Sequence, residues 1–519
     1  MFSLGRLLLN TRDLAAPKKK TTWRTVHRRR VLTFRYDHRW RYRIRHQHYE
    51  RRQLVASDFF PAEAKPRFRY AGFWPGIFNH AGTPEVERMQ KVESVLMSKS
   101  NSYYTDLITS IGSEDLHVKA EHSDDRGMGL YATEPLEAGE TLWAERPLLG
   151  ALVRAFDRPL CVCETCGRFL GSLQLQLKYG LGMVSGSEMA KVFNDGDEDT
   201  VHELLFTPEL PKVPGEAARL TDETPCLWQA DGEFLFFCSQ HCRGGFENVH
   251  RPLWQSEAGR RVRQVAREGD MEYLLLAAKV ILGFSGADDG LREGVRRLCG
   301  GDQSYWECVD MPEDEKEAAT FIEDCKGTLE KGSKAMAGLV DKADDETKKW
   351  GTFKGLNGLV GKLCRNAIMV TYPNPLTEYL LAISQTDADL TTLRALVQKA
   401  KPAVADDEDD GDDFVQVDLG EGVVADSRTL CPHYRGWAVF PLLACVNHSC
   451  RPNIETEFSG DGATLVANVS ESAAIAAGVE LTISYCDVEE ESTEERQKQL
   501  AAYGFECQCE RCCKKARKA

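Results

Sequence analysis

The 519-residue chain is long enough for about two to four domains with well-buried cores. Hydrophobic residues make up 42% and charged residues 28%, ordinary for a globular protein. The longest clean apolar run, GWAVFPLLACV at 436–446, contains a proline and is too short to span a bilayer, so no transmembrane helix and no membrane partner are expected.

The net charge of −15 hides an asymmetry. Residues 1–53 hold 16 Lys/Arg against 3 Asp/Glu, whereas the rest holds 49 basic against 77 acidic residues. This basic arm, taken as residues 1–55, interleaves arginine with aromatics (VHRRRVLTFRYDHRWRYRIRHQHYERR). Three readings compete: a solvated tail, an arm contacting RNA or the ribosome through arginine and stacking rings, or a mitochondrial presequence. The start lacks a secretory apolar core, so 18 cysteines point to a reducing compartment, cytoplasm or nucleus, with mitochondria if the arm is a presequence.

Residues 56–113 are rich in Pro, Gly and aromatics and carry no assignable pattern. Over 114–160, HVKAEHSDDRGMGLYATEPLEAGETLWAERPLLGALV alternates short β-type runs with Gly/Asp/Pro turns, predicting small β-sheets. Residues 161–254 form a cysteine-rich insert. Residues 255–430 read as mostly helical, with apolar residues at i, i+3 and i+4 in EYLLLAAKVILGF, DDETKKWGTFKGLNGLVGKLCRNA and PLTEYLLAISQTDADLTTLRALVQKA. This stretch closes with the acidic run ADDEDDGDD at 405–413, read as a solvated loop. Short strands return over 431–490 (VFPLLACV, TLVANVS, ELTISY), and 491–519 carries a helix around EERQKQLAAYG and a terminal CQCERCC.

Two cysteine groups have metal-ligand spacing. Cys507, Cys509 and Cys512 supply three thiolates, and a structural zinc site closes with four. Cys450, isolated in the tight stretch NHSCRPN, fits as the fourth, and Cys513 is a spare neighbour. Cys163-x-x-Cys166 and Cys238-x-x-x-Cys242 form a second set. Cys226 and His250 resemble half of a further site, but Trp228, Gln229 and Trp254 stand where more ligands would be needed. Cys161 and His241 read as bystanders. Neither set is the open, His-rich kind of a catalytic zinc, so about two structural Zn²⁺ are expected.

In chain order, DRGMGLYAT (125–133), NHSCRPN (447–453), ELTISYCD (480–487) and YGFECQCERC (503–512), with the cysteine insert splitting the first two, resemble the SET-and-MYND-domain (SMYD) protein lysine methyltransferases. The resemblance implies an α+β fold. Its parts are a knot-like, β-rich SET core, an inserted MYND-like zinc module, a helical insert and a post-SET zinc site held by Cys450, Cys507, Cys509 and Cys512. It also implies S-adenosylmethionine as methyl donor, with Arg126, Gly127 and Met128 in the first cofactor loop. Asn366, Asn447 and His448 would contact the cofactor, and Phe505 would pack on its adenine. Tyr485 would be the catalytic tyrosine and Tyr503 would line the lysine channel of a protein substrate, a histone or another basic protein. Two departures are expected: a second MYND zinc site short of at least two ligands, and no C-terminal helical domain, because the chain stops seven residues after Cys512. The competing function is a catalytically weak SET/MYND scaffold that docks protein partners.

Overall fold

The structure, a computed structural model, describes residues 103–111, 116–153, 161–206, 226–230, 233–285, 289–300, 303–372, 389–399, 416–426, 434–458, 464–486 and 492–516, apart from isolated positions. Short pieces elsewhere are described too, including the paired strands Leu32–Thr33 and Arg43–Ile44. The rest of the basic arm and the acidic run at 405–413 lie outside the described residues. No helix among the described residues is long and apolar enough to cross a membrane.

Three small sheets make the β core. The strand Val118–Ser123 turns through Asp124-Asp125-Arg126 into Gly127–Ala132 and pairs with it antiparallel. Gly127 takes a left-handed φ of +69° at this turn, a conformation that glycine adopts without a Cβ penalty. Gly127–Ala132 pairs with Glu480–Ile483, which in turn carries the two-residue strand Asn447–His448 in parallel. A second sheet orders Ile454–Phe458, Leu465–Val469 and Thr141–Glu145. The third places Tyr434–Val439 between Leu149–Val153 and Ala367–Tyr372. Inward-facing Leu130, Ala132, Trp143, Phe440, Val446, Leu465 and Leu481 pack into one cluster.

The helical segment between these strands builds a separate, larger core. Helix Tyr273–Ser285 is buried on nearly every side, the behaviour of an apolar helix with no polar stripe. Helix Phe353–Asn366, capped by Thr352, buries Leu356, Leu359, Val360, Leu363 and Cys364, a spacing that places them on one face. Helix Glu315–Val340 starts at an Asp314 cap that accepts from Lys316 N and Glu317 N. Lys279 crosses between units: its Nζ donates to Gly150 O at 2.6 Å and lies 3.8 Å from Glu164.

Three elements depart from the sequence pattern. The helical reading of GLVGKLCRNA runs straight into Ala367–Tyr372, which is a strand, because a sheet edge recruits the β-branched Ile368, Val370 and Thr371. VFPLLACV is not one strand: pairing ends at Val439, and after Pro441 the chain makes a 3-10 turn over Leu443–Cys445. Residues 103–111, within the unassigned stretch, form a helix whose Tyr103, Tyr104 and Leu107 are buried in the β core.

Candidate functional site

The site grows from the turn after Leu443–Cys445. Glu145, at the end of its strand and 1% exposed, accepts the backbone N–H groups of Leu442 at 2.6 Å and Leu443 at 3.1 Å. Burial pushes its carboxyl pKa up to about 7, against the opposite pull of these two donors. The turn delivers Asn447 and His448 onto the edge of Glu480–Ile483, and Ser449 N–H donates to Ile483 O, fixing the next step.

Asn447 Nδ2 donates to Met128 O at 3.1 Å and to Glu480 Oε1 at 2.8 Å. The other oxygen of Glu480 pairs with Arg126 at 2.7 Å, and a second guanidinium nitrogen of Arg126 donates to His448 O at 2.9 Å. One carboxylate thus holds together the two halves of the predicted cofactor site, which lie more than 300 residues apart in sequence. Gly129 is the point of closest approach: a Cβ there would stand 2.8 Å from Glu480 Oε1 and 3.2 Å from Asn447 Nδ2. Above Gly127 the space is open, with no atom within 4 Å of where a Cβ would sit.

The aromatic residues meet on the other side of the turn. Tyr485 N–H donates to His448 Nδ1 at 3.0 Å, and the Tyr485 hydroxyl donates to Val446 O at 2.6 Å. Ring centroids of Tyr485 lie 4.7 Å from Tyr503, 5.4 Å from His448 and 6.4 Å from Phe505. Phe505 is 38% exposed, the most exposed ring of this aromatic group. Because an amide N–H can only donate, Nδ1 of His448 is the acceptor and the ring proton sits on Nε2. Nε2 then donates to Cys450 Sγ at 3.3 Å. Burial, with Arg126 and Arg496 nearby, lowers the His448 pKa to about 3, so the ring is neutral. Both ring nitrogens are spent within the chain.

Four sulfurs converge below this turn. Cys450 Sγ lies 3.8 Å from Cys507 Sγ and 3.6 Å from Cys512 Sγ, and with Cys509 the four ligand atoms all fall within 4.8 Å of one another. A tetrahedral Zn²⁺ with bonds of about 2.3 Å needs sulfurs about 3.8 Å apart, so this set fits zinc. Cys163, Cys166, Cys238 and Cys242 form an equal set, with Cys166–Cys238 at 3.6 Å and Cys238–Cys242 at 3.4 Å. A third group, His448, Cys450 and Cys486, shares Cys450 with the first. The tautomer of His448 argues against a further metal there, since its metal-facing nitrogen carries the proton. Among the described residues no metal-capable group includes Cys226 or His250. His250 is instead packed against the Phe246 ring, its pKa lowered to about 3 by burial and by Lys279.

Asn366 has its side chain hydrogen-bonded within the chain. It ends its helix and staples a neighbouring segment: Oδ1 accepts from Cys299 N at 2.9 Å, and Nδ2 donates to Cys299 O and Lys362 O at 2.7 Å each. Its neighbour Arg365 comes nearer the aromatic group, within 3.6 Å of a Cβ placed at Gly504. Met128 contributes its backbone carbonyl, while its side chain packs on the β core. Sequence reasoning missed Glu145, Glu480, Cys486 and Arg496. Only Glu480 and Cys486 carried a signal, through their place in ELTISYCD.

A family model described as the SET domain matches residues 127–486. The chain is 24% identical over 470 residues to the histone-lysine N-methyltransferase ATXR2 of Arabidopsis thaliana, covering 79% of this chain and 92% of that protein. It is 29% identical over 214 residues to human SMYD3, also named a histone-lysine N-methyltransferase, covering 38% of this chain and 43% of the relative. Mouse SMYD3 matches at 44% over 94 residues, 17% of this chain and 21% of that protein.

Proposed function

We infer that this chain, which belongs to the SET-domain family, is an S-adenosylmethionine-dependent protein-lysine N-methyltransferase. The observation that carries this reading is the bridge of Glu480 between Arg126 and Asn447, set beside the Tyr485–Tyr503–Phe505 aromatic group. The open space over Gly127 and the exposed Phe505 suit a cofactor with a charged amino-acid end and a flat base. Arg126, Asn447 and the backbone at Met128 would hold it, and Phe505 would take the base. The cofactor supplies an electrophilic methyl on a sulfonium.

The chain's own work is placement and desolvation. Tyr485 and Tyr503 would form the wall of a lysine channel, and removing an ammonium from water lowers its pKa toward the neutral amine that attack requires. The Tyr485 hydroxyl proton is committed to Val446 O, so its oxygen presents lone pairs to a substrate N–H. Tyr485 is thus an acceptor that orients the amine, and no covalent enzyme intermediate is needed. His448 positions the Tyr485 backbone and takes no proton. The acidic body, with a net charge of −15 over the whole chain, favours a histone or another basic protein as substrate.

The test is mass spectrometry of a basic-protein mixture incubated with the purified chain and cofactor. Methyl-lysine should appear with the parent protein and fall more than tenfold with Tyr485→Phe, whose cofactor affinity stays near the parent value. Binding of cofactor without methyl transfer by the parent chain would favour the scaffold reading instead.

A further inference from the structure

The C-terminal sulfur cluster is charged and buried, with Arg511 donating to the Cys450 carbonyl at 3.4 Å and Arg496 reaching the sulfurs themselves. Cys450 is 1% exposed, and Cys507 and Cys512 are 7% exposed. Four thiolates around one Zn²⁺ leave a net charge of −2, and taking such a charge out of water is costly unless it is matched and hydrogen-bonded. Arg496 lies on helix Thr493–Ala501 and is itself 1% exposed, among the largest fully buried side chains described. Its guanidinium donates to Cys512 Sγ at 3.7 Å and also faces Cys450. The next residue, Gln497, clamps the site's backbone by donating to Cys507 O at 2.8 Å and accepting from Cys507 N at 2.9 Å. The helix start is fixed by reciprocal Ser492–Glu495 capping, so Arg496 is delivered by a rigid element.

We propose that Arg496 is the counter-cation of the Cys450–Cys507–Cys509–Cys512 zinc site, a charge-assisted N–H···S donor that holds the metal in place. The proposal rests on reading that cluster as a zinc site and is independent of the methyltransferase reading. Donors to a thiolate draw off electron density, which makes the sulfur less basic and less prone to leave the metal for a proton. Cys512 receives such a donor from Arg496, and Cys450 receives one from His448 Nε2–H at 3.3 Å. Cys450 is also the ligand on the turn that carries Asn447. The second sulfur set, Cys163, Cys166, Cys238 and Cys242, belongs to a different part of the chain and serves as an internal control.

The test uses the full zinc-loaded chain, with Arg496→Gln removing the charge and Arg496→Lys keeping it. Each protein is mixed with EDTA and pulsed with an alkylating agent, and peptides are read by mass spectrometry. In Arg496→Gln, Cys450 and Cys512 should become alkylated about 10–100 times faster than in the parent, with Arg496→Lys between. Labelling at Cys163, Cys166, Cys238 and Cys242 should not change. Cobalt loaded in place of zinc gives a second readout, because loss of the N–H···S donor shifts the thiolate-to-cobalt charge-transfer bands. Parent-like labelling and spectrum in a folded Arg496→Gln protein overturn the proposal. If that variant does not fold, Arg496→Lys decides: its shorter, non-planar head should speed labelling at least threefold and move the bands, and no change in either overturns it. A parent chain that binds zinc only at the other sulfur set refutes the zinc reading itself.

Discussion

Replacing Glu145 by Gln tests whether a buried carboxyl sets the turn that presents Asn447 and His448. The side chain is 1% exposed and holds Leu442 N–H and Leu443 N–H, so it fixes the start of that turn. Its pKa rises from an ordinary value of 4.5 to about 7 in the fold, chiefly through burial. The folded chain therefore keeps a proton that the unfolded chain has released, and the group's contribution to stability is full below about pH 4.5 and lost as pH rises through about 7. At about 1.4 kcal/mol per pK unit, about 2 kcal/mol of this loss falls between pH 5.5 and 8. Gln has the same shape and does not titrate, but it offers one acceptor where two N–H groups point. The variant should carry a pH-independent cost of about 1–3 kcal/mol for the amide left unmatched. Against that, its stability relative to the parent should improve by about 2 kcal/mol on going from pH 5.5 to 8. Urea unfolding of both zinc-loaded proteins across this range measures the difference. A gap that stays constant with pH refutes the assignment of a raised Glu145 pKa.

Metal analysis of the pure chain should give about two zinc per molecule, falling to about one in Cys166→Ser and remaining at two in Cys486→Ser. Because Cys450 lies three residues after Asn447, Cys450→Ser should lose one zinc and weaken cofactor binding together, as read by calorimetry. Glu480→Gln loses the ion pair to Arg126 while keeping an oxygen for Asn447. For a pair this exposed the cost is about 1 kcal/mol, seen as about fivefold weaker cofactor binding. Asn366→Ala should lower stability by about 1–3 kcal/mol, because it strips partners from the Cys299 backbone, measured by urea unfolding. If Asn366 acted mainly on the cofactor, affinity would fall and stability would not.

The parts of the site that were legible in the sequence are those whose chemistry demands a rare residue at a fixed spacing. Eight cysteines were assigned to two metal sets from spacing plus one isolated thiol, and the structure brings each set of four within 4.8 Å. The NHSC turn was readable for the same reason, since an isolated cysteine in a tight turn is a good candidate for the missing fourth ligand. What stayed hidden is done by common residues whose partners are remote. Glu145 meets Leu442 across 297 residues, and nothing about one glutamate in a charged chain marks it for burial. Arg496 sits in EERQKQL, which reads as a solvated helix face, and only the fold turns that face onto sulfur. Ala367–Tyr372 became a strand because the distant segment Tyr434–Val439 offered an edge, which no window of local sequence contains. The motif residues therefore mark where the chemistry belongs, while the stiffness of the site comes from unmarked ones. Glu145 sets one end of the 442–450 turn, Glu480 ties its middle to Arg126, and Arg496 donates to Cys512 in the sulfur cluster at its other end. A chain that kept every motif residue but changed these three would still be recognised as a SET-domain protein, yet the turn joining cofactor to zinc would lose the contacts that define its shape.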